Sequence, residues 1–216
     1  MPLDAAWAIA WTRLAAATIS EHREELSELD RLIGDADHGD NLDRGYRAAV
    51  SRLDSTEDPG AYTTPGAVLK AVATTLLATV GGAAGPLLGT AYLRASRVAD
   101  AEELGPQGIA DLLEEATSGI EVRGRAEVGD KTMIDAWRPA ARVAAAKAAA
   151  GATTAEVLEA AAAAAAQGAI DTEPLVARKG RASYLGPRSK GHRDPGAASC
   201  ALILAAAAAA ARGEAA

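Results

Sequence analysis

The stretch GDADHGDN, Gly34 to Asn41, puts three aspartates, one histidine and two glycines into eight residues. Asp30 stands shortly before it and Asp43 shortly after it. Carboxylates held this close must be solvated, spread apart or neutralised by a cation. Glycine and aspartate also end helices and start new ones. The stretch therefore reads as a tight helix-to-helix connection. Asp30 ends one helix, and a second starts in DHGDN and continues through LDRGYRAAVSRL. A fold-back around Leu32, Ile33 and Gly34 would bring Asp30, Asp35 and Asp37, spaced D-x4-D-x-D, onto one point. Hard oxygen ligands at such a point suit Mg2+ or, less specifically, Ca2+. The other reading is plain: two of these acids cap the second helix and the rest face water. Zinc is not suggested, because no cysteine or histidine set accompanies the acids. The calcium-loop pattern lacks its later ligands and its terminal glutamate.

Outward from this connection the chain reads as all helical. Alanine dominates, phenylalanine is absent, and no clean period-2 strand of six or more residues occurs. Eight helices are expected. The first spans about Asp4 to Leu29, with Trp7, Trp11, Leu14 and Thr18 at helical spacing. The second follows the acid cluster. The third covers about Gly66 to Thr79 behind the turn-rich STEDPGAYTTPG, with Pro65 in a first turn. The fourth follows GGAAG, and the fifth runs from Pro106 to Arg123. The sixth runs from Thr132 to Ala149 with a kink expected at Pro139. Thr153 or Thr154 caps the seventh, and the eighth runs from about Gly196 to Ala211. Residues 174–195 read as a long loop. Short turns and small side chains make this a closely packed antiparallel bundle.

The bulk numbers bound the function. At 216 residues the chain reads as one domain, 1–216, with a sizeable core. A net charge of −7 without a long basic run argues against nucleic acid. The single cysteine, Cys200, excludes an internal disulfide and suits a reducing cytoplasmic setting; it precedes an apolar run and reads as a buried small hydrophobe. No targeting segment precedes the first helix, and the alanine runs at 160–166 and 205–211 are too short to span a membrane.

Three further segments suit an anion. VGGAAGPLLG places Gly81 to Gly85 ahead of a helix, where free backbone N–H groups would meet phosphate, or where small residues would simply pack. VGDKTM starts a helix; Asp130 would cap it, and Met133 would touch a base or fill the core. KGRASYLGPRSKGHRDPG, Lys179 to Gly196, is the densest basic patch; it would meet polyphosphate or keep a loop solvated. In an up-and-down bundle, the connections 1–2, 3–4, 5–6 and 7–8 share one rim. These are the acid cluster, the GGAAG turn, the VGDKT turn and the basic loop. Their convergence favours a metal–nucleotide site over four separate bland readings.

GDADHGDNLDRG (Gly34–Gly45), GGAAGPLLGT (Gly81–Thr90), GDKTMIDAWRPA (Gly129–Ala140) and KGRASYLGPRSKGHRDPGAAS (Lys179–Ser199) together resemble the nucleotide-binding L subunit of dihydroxyacetone kinases, the DhaL or DAK2-domain family. The resemblance covers nearly the whole chain. It implies a closed barrel of eight antiparallel helices with the nucleotide on one rim. It implies Asp30, Asp35 and Asp37 as ligands of two Mg2+ ions, and ADP or ATP near His38, Gly39, Asp40, Asn41, Ala83, Ala84, Gly124, Met133, Arg181, Asp194, Pro195 and Gly196. Arg181 would place phosphate and share the catalytic role with the three aspartates. Ala84 stands where the family often has serine, which removes one hydroxyl donor but leaves the backbone N–H groups. Asp40 is an added acid.

The resemblance further implies a separate K subunit that holds dihydroxyacetone covalently on its own histidine, to which this chain brings the phosphoryl group. A phosphotransferase-system M subunit would recharge bound ADP in one version, and free ATP would exchange in the other. A homodimer is a further expected assembly. The motifs alone also fit a kinase subunit for another small ketose such as a tetrose, or a nucleotide-sensing regulatory protein.

Overall fold

The computed structural model describes residues 3–56 and 60–214. Residues 57–59 of the predicted turn-rich segment, residues 1–2 of the stretch read for a targeting signal, and residues 215–216 lie outside the described residues. The helices are α1 Ala5–Glu21, α2 Arg23–Ile33, α3 His38–Asp54, α4 Pro65–Thr79, α5 Ala84–Val98, α6 Pro106–Gly124, α7 Ile134–Ala149, α8 Thr154–Asp171 and α9 Pro195–Ala211, with a 3-10 helix at Arg181–Ser189 between α8 and α9. No strand occurs among the described residues.

Local chemistry sets most of the boundaries. The Asp4 side chain accepts the Trp7 N–H and starts α1, and Thr64 does the same for Ala67 ahead of Pro65. Thr153 and Glu156 form a reciprocal capping box at α8. Asp194 caps α9 through the Ala197 N–H, with Pro195 in the first turn.

Three expectations change. The predicted first helix is broken at His22, so α1 and α2 are separate and the described residues carry nine α-helices. The break lets α2 pack on α3 at very short range: a Cβ on Gly39 would stand 2.0 Å from the Arg23 carbonyl oxygen. The buried stripe of α1 is also displaced from the predicted one. It contains Trp7, Trp11, Ala15 and Ile19, with Ala8, Thr12 and Ala16, while Leu14 and Thr18 are only partly covered. Alanine is small enough for either face, so the α1 pattern is ambiguous until a neighbour is present. The predicted loop 174–195 contains the 3-10 helix, broken by Gly186 at φ 53°.

Each of α3 to α8 packs against its successor, α9 packs against α1, and α1 packs against α3. The Trp7 and Trp11 indole N–H groups donate to the carbonyls of Ala207 and Ile203, fastening α1 to the alanine-rich α9. Their rings stack at 5.3 Å. Tyr46 and Tyr92 share a buried hydroxyl hydrogen bond of 2.9 Å. Cys200 is fully buried, and burial pushes its thiol well above the usual range, as suits a core residue rather than a nucleophile. No helix among the described residues is long and apolar enough to cross a membrane.

Candidate functional site

The connections α2–α3, α4–α5, α6–α7 and α8–α9 meet at one rim around a cleft of about 390 Å³, within the range of small-ligand sites. The acid cluster forms one wall. A Cβ on Gly34 would lie 2.0 Å from Asp30 Oδ1, so glycine leaves the space into which the Asp30 carboxylate folds. Ala36 takes a left-handed φ of 65°, which completes the fold-back. One carboxylate oxygen each from Asp30, Asp35 and Asp37 lies within 4.8 Å of the others. This donor set fits a hard divalent cation.

The geometry also shows which of the acids caps α3. Asp37 occupies the cap position of α3, but its side chain makes no capping hydrogen bond. The cap comes from Asp30, whose Oδ2 accepts the N–H groups of Asp37 at 2.9 Å and His38 at 3.2 Å. Asp35 faces Arg181, with Nη1 to Oδ2 at 3.0 Å. His38 is buried, its Nε2 2.9 Å from Ser199 Oγ, and burial pulls the imidazole down to about 4. It is therefore neutral at pH 7.

The second wall is the glycine turn. Gly82 has φ 64°, and α5 begins after Ala83 with no side-chain cap, so its first N–H groups are available to a ligand. Asn41 lies beneath the turn, with its Oδ1 accepting from Arg44 Nη2. Across the cleft, Leu87, Ile120, Gly124, Ala126 and Met133 line an apolar end. Arg181 and the start of α9 also border the cleft. Asp194 there is buried, which pushes its carboxyl up to about 7 against the opposing Ala197 N–H bond.

Of the residues expected to hold nucleotide or metal, Asp30, Asp35, Asp37, His38, Asn41, Ala83, Ala84, Gly124, Met133, Arg181, Asp194, Pro195 and Gly196 line this cleft. Gly39 and Asp40 do not. Gly39 sits against the α2 backbone, and Asp40 points to Arg23, 3.6 Å away, at the exposed α2–α3 surface. The added acid therefore forms a surface ion pair beside the cleft rather than a part of its lining. The turn expected to be capped by Asp130 is held mainly by Asp135, whose carboxylate accepts the Gly129 N–H at 2.6 Å and the Thr132 N–H at 2.7 Å. Asp130 instead accepts the Glu127 N–H at 2.9 Å. Arg123 also lines the cleft and was read only as a helix end. The rim count already placed the α6 terminus at this site; only the side chain's turn toward the cleft was not legible from helical spacing.

Known proteins share this chain's sequence pattern and fold. The DAK2 domain model matches residues 32–209. The PEP-dependent dihydroxyacetone kinase 1 ADP-binding subunit DhaL of Listeria innocua is 39% identical over 204 residues, covering 94% of this chain and 96% of the relative. The corresponding Escherichia coli subunit is 39% identical over 205 residues, with coverage of 94% and 96%. Among solved structures, the dihydroxyacetone kinase from C. freundii in complex with AMP-PNP and Mg2+ is similar with a TM-score of 0.69 and 25% identity. That alignment covers 99% of this chain and 35% of the longer one. With this family match over most of its length and relatives aligned over 94% of it, the chain belongs to the DAK2 domain family, among its DhaL-type members.

Proposed function

We propose that this chain is the nucleotide-binding, phosphoryl-transferring subunit of a dihydroxyacetone kinase. The observation that carries the reading is the convergence of three carboxylates, an uncapped helix start and Arg181 on one cleft. Asp30, Asp35 and Asp37 would hold two Mg2+ ions. When bound, these ions would neutralise the charge of a nucleoside diphosphate or triphosphate and align its terminal phosphoryl group. The N–H groups at the start of α5 and the Gly196 N–H at the start of α9, whose Ala197 N–H is taken by Asp194, would bind phosphate oxygens, and Arg181 would add a charge-assisted contact. Leu87, Ile120 and Met133 would cover the base. His38, neutral and tied to Ser199, would position the nucleotide rather than exchange a proton. We read the sequential packing as a closed barrel of eight staves, counting α1 and α2 together, within a single unit 1–216.

In this reading the sugar is held by a separate K subunit. The exposed apolar side chains Leu32, Val122, Val128 and Tyr184 lie on segments bordering the cleft and support docking of a partner over it. The like-sized relatives are named as subunits of a PEP-dependent kinase, which favours bound ADP recharged by a phosphotransferase-system M subunit in the cytoplasm over exchange of free ATP. The test is to purify the chain, measure retained nucleotide, and mix it with a K subunit and either ATP or a phosphoenolpyruvate relay. Dihydroxyacetone phosphate is expected with the relay. Nucleotide binding without transfer in either assay would refute the proposal and favour a sensing role; transfer to a tetrose alone would change the substrate.

A further inference from the structure

We propose that Lys131 is a positioning residue: its ammonium clasps the α8–α9 loop closed and so holds Arg181 and the start of α9 against the cleft. This rests on the nucleotide site proposed above. Lys131 lines the cleft, yet it is only 1% exposed. Its Nζ donates to the carbonyls of Thr172 at 2.7 Å, Glu173 at 3.5 Å and His192. An ammonium has three N–H donors, and all three are directed to protein carbonyls. None is left over for phosphate, so the obvious role of a lysine beside a phosphate site does not apply here.

The three carbonyls belong to both ends of one loop. Thr172 and Glu173 follow α8, where a positive charge also opposes the helix dipole. His192 lies just before the Asp194 cap of α9. Neighbouring bonds fasten the same two ends. The Arg178 N–H donates to the Asp130 carbonyl at 3.0 Å, and the Gly191 N–H to the Glu173 carbonyl at 2.8 Å. The Asp194 N–H donates to Thr172 Oγ1 at 2.9 Å. Between these fastenings runs the segment with Arg181, whose side chain is 65% exposed, while the adjacent Ala182 packs on Ile33 and Ala177. Lys131 itself has φ 64°, an unfavourable region for lysine, kept in place by the Asp135 bonds on either side of it. A buried charge at a strained position is expensive filler; as a clasp for two chain segments it has a reason to be there.

Two measurements on Lys131→Met test this. First, limited trypsin digestion of the ligand-free protein reads loop opening directly. Cleavage after Lys179, Arg181, Arg188 and Lys190 is expected to become about tenfold faster, with cuts elsewhere unchanged. Unchanged loop cleavage would overturn the clasp. Second, titration with ADP and Mg2+ is expected to show about 10- to 100-fold weaker binding, because only the closed fraction binds. The loss is expected to be shared with Arg181→Met, the double variant binding within about threefold of the weaker single variant. Fully multiplying losses would mean that Lys131 acts independently of Arg181 and would overturn the positioning role. If Lys131→Met does not fold, Lys131→Gln, which keeps two N–H donors, replaces it and is expected to lie between; wild-type behaviour of that variant refutes the clasp. If the wild-type chain binds no Mg-ADP, the proposed function fails, while the digestion still decides the clasp.

Discussion

Replacing Asp30 by alanine separates the two jobs that its carboxylate does. In the metal-free chain Asp30 caps α3 by accepting two backbone N–H groups, and it is buried. A hydrogen bond to a charged group contributes about 1.5–3 kcal/mol, and alanine leaves both amides without a partner. Relief of repulsion from Asp35 and Asp37 offsets part of this loss, so Asp30→Ala is expected to cost about 2–4 kcal/mol. In a chain of this length that lowers Tm by about 5–15 °C. Asp35 differs. Its contact with Arg181 joins side chains 33% and 65% exposed, a pairing that contributes about 0–1 kcal/mol. Asp35→Ala is therefore expected to shift Tm by less than about 4 °C in EDTA. Both variants are expected to abolish Mg2+-dependent ADP binding. Calorimetric melting in EDTA and ADP titration with and without Mg2+ give the two readouts. An unchanged melting point for Asp30→Ala would refute the capping role, and Mg2+-dependent binding retained by Asp35→Ala would refute the metal assignment.

Gly39→Ala is expected to destabilise by about 2–4 kcal/mol in urea unfolding, because its Cβ meets α2 backbone that cannot rotate away; Asp40→Asn, at the exposed end of the same contact, is expected to change ADP binding less than twofold. The pH dependence of metal-free stability carries two opposed contributions. His38 has a folded value of about 4, below the ordinary 6.5, so its contribution is present above pH 6.5 and is lost as pH falls toward 4. Asp194 has a folded value of about 7, above the ordinary 3.8, so its contribution is present below pH 3.8 and is lost as pH rises through 7. The two offset each other in wild type, and Asp194→Asn is expected to uncover a fall on the order of 3 kcal/mol between pH 6.5 and 4, read by denaturant unfolding across that range. Tyr46→Phe leaves the buried Tyr92 hydroxyl unpaired and is expected to cost about 1–3 kcal/mol by the same assay, with part of the loss recovered when Tyr92→Phe is added.

The sequence by itself determined the all-helical class and most helix starts and stops. Alanine-rich runs favour helix, and the stops and starts at Thr153 with Glu156 and at Asp194 with Pro195 are local signals satisfied within one turn. Local order also made the rim count legible: alternate connections of an up-and-down bundle share an end, so the acid cluster, the glycine turn, the VGDKT turn and the basic loop could be assigned to one site. Tertiary structure alone decided what depends on contacts between distant residues. It broke the first helix at His22 and chose which face of α1 is buried, since alanine fits either. It gave the capping role to Asp30 and withheld it from Asp37, turned Asp40 toward Arg23, and turned the Arg123 side chain to the cleft. It also spent every donor of Lys131 on carbonyls 41 to 61 residues away in sequence. Such partners leave no mark on local spacing, because the energy of a buried charge or a close helix crossing is set by whatever the fold places beside it.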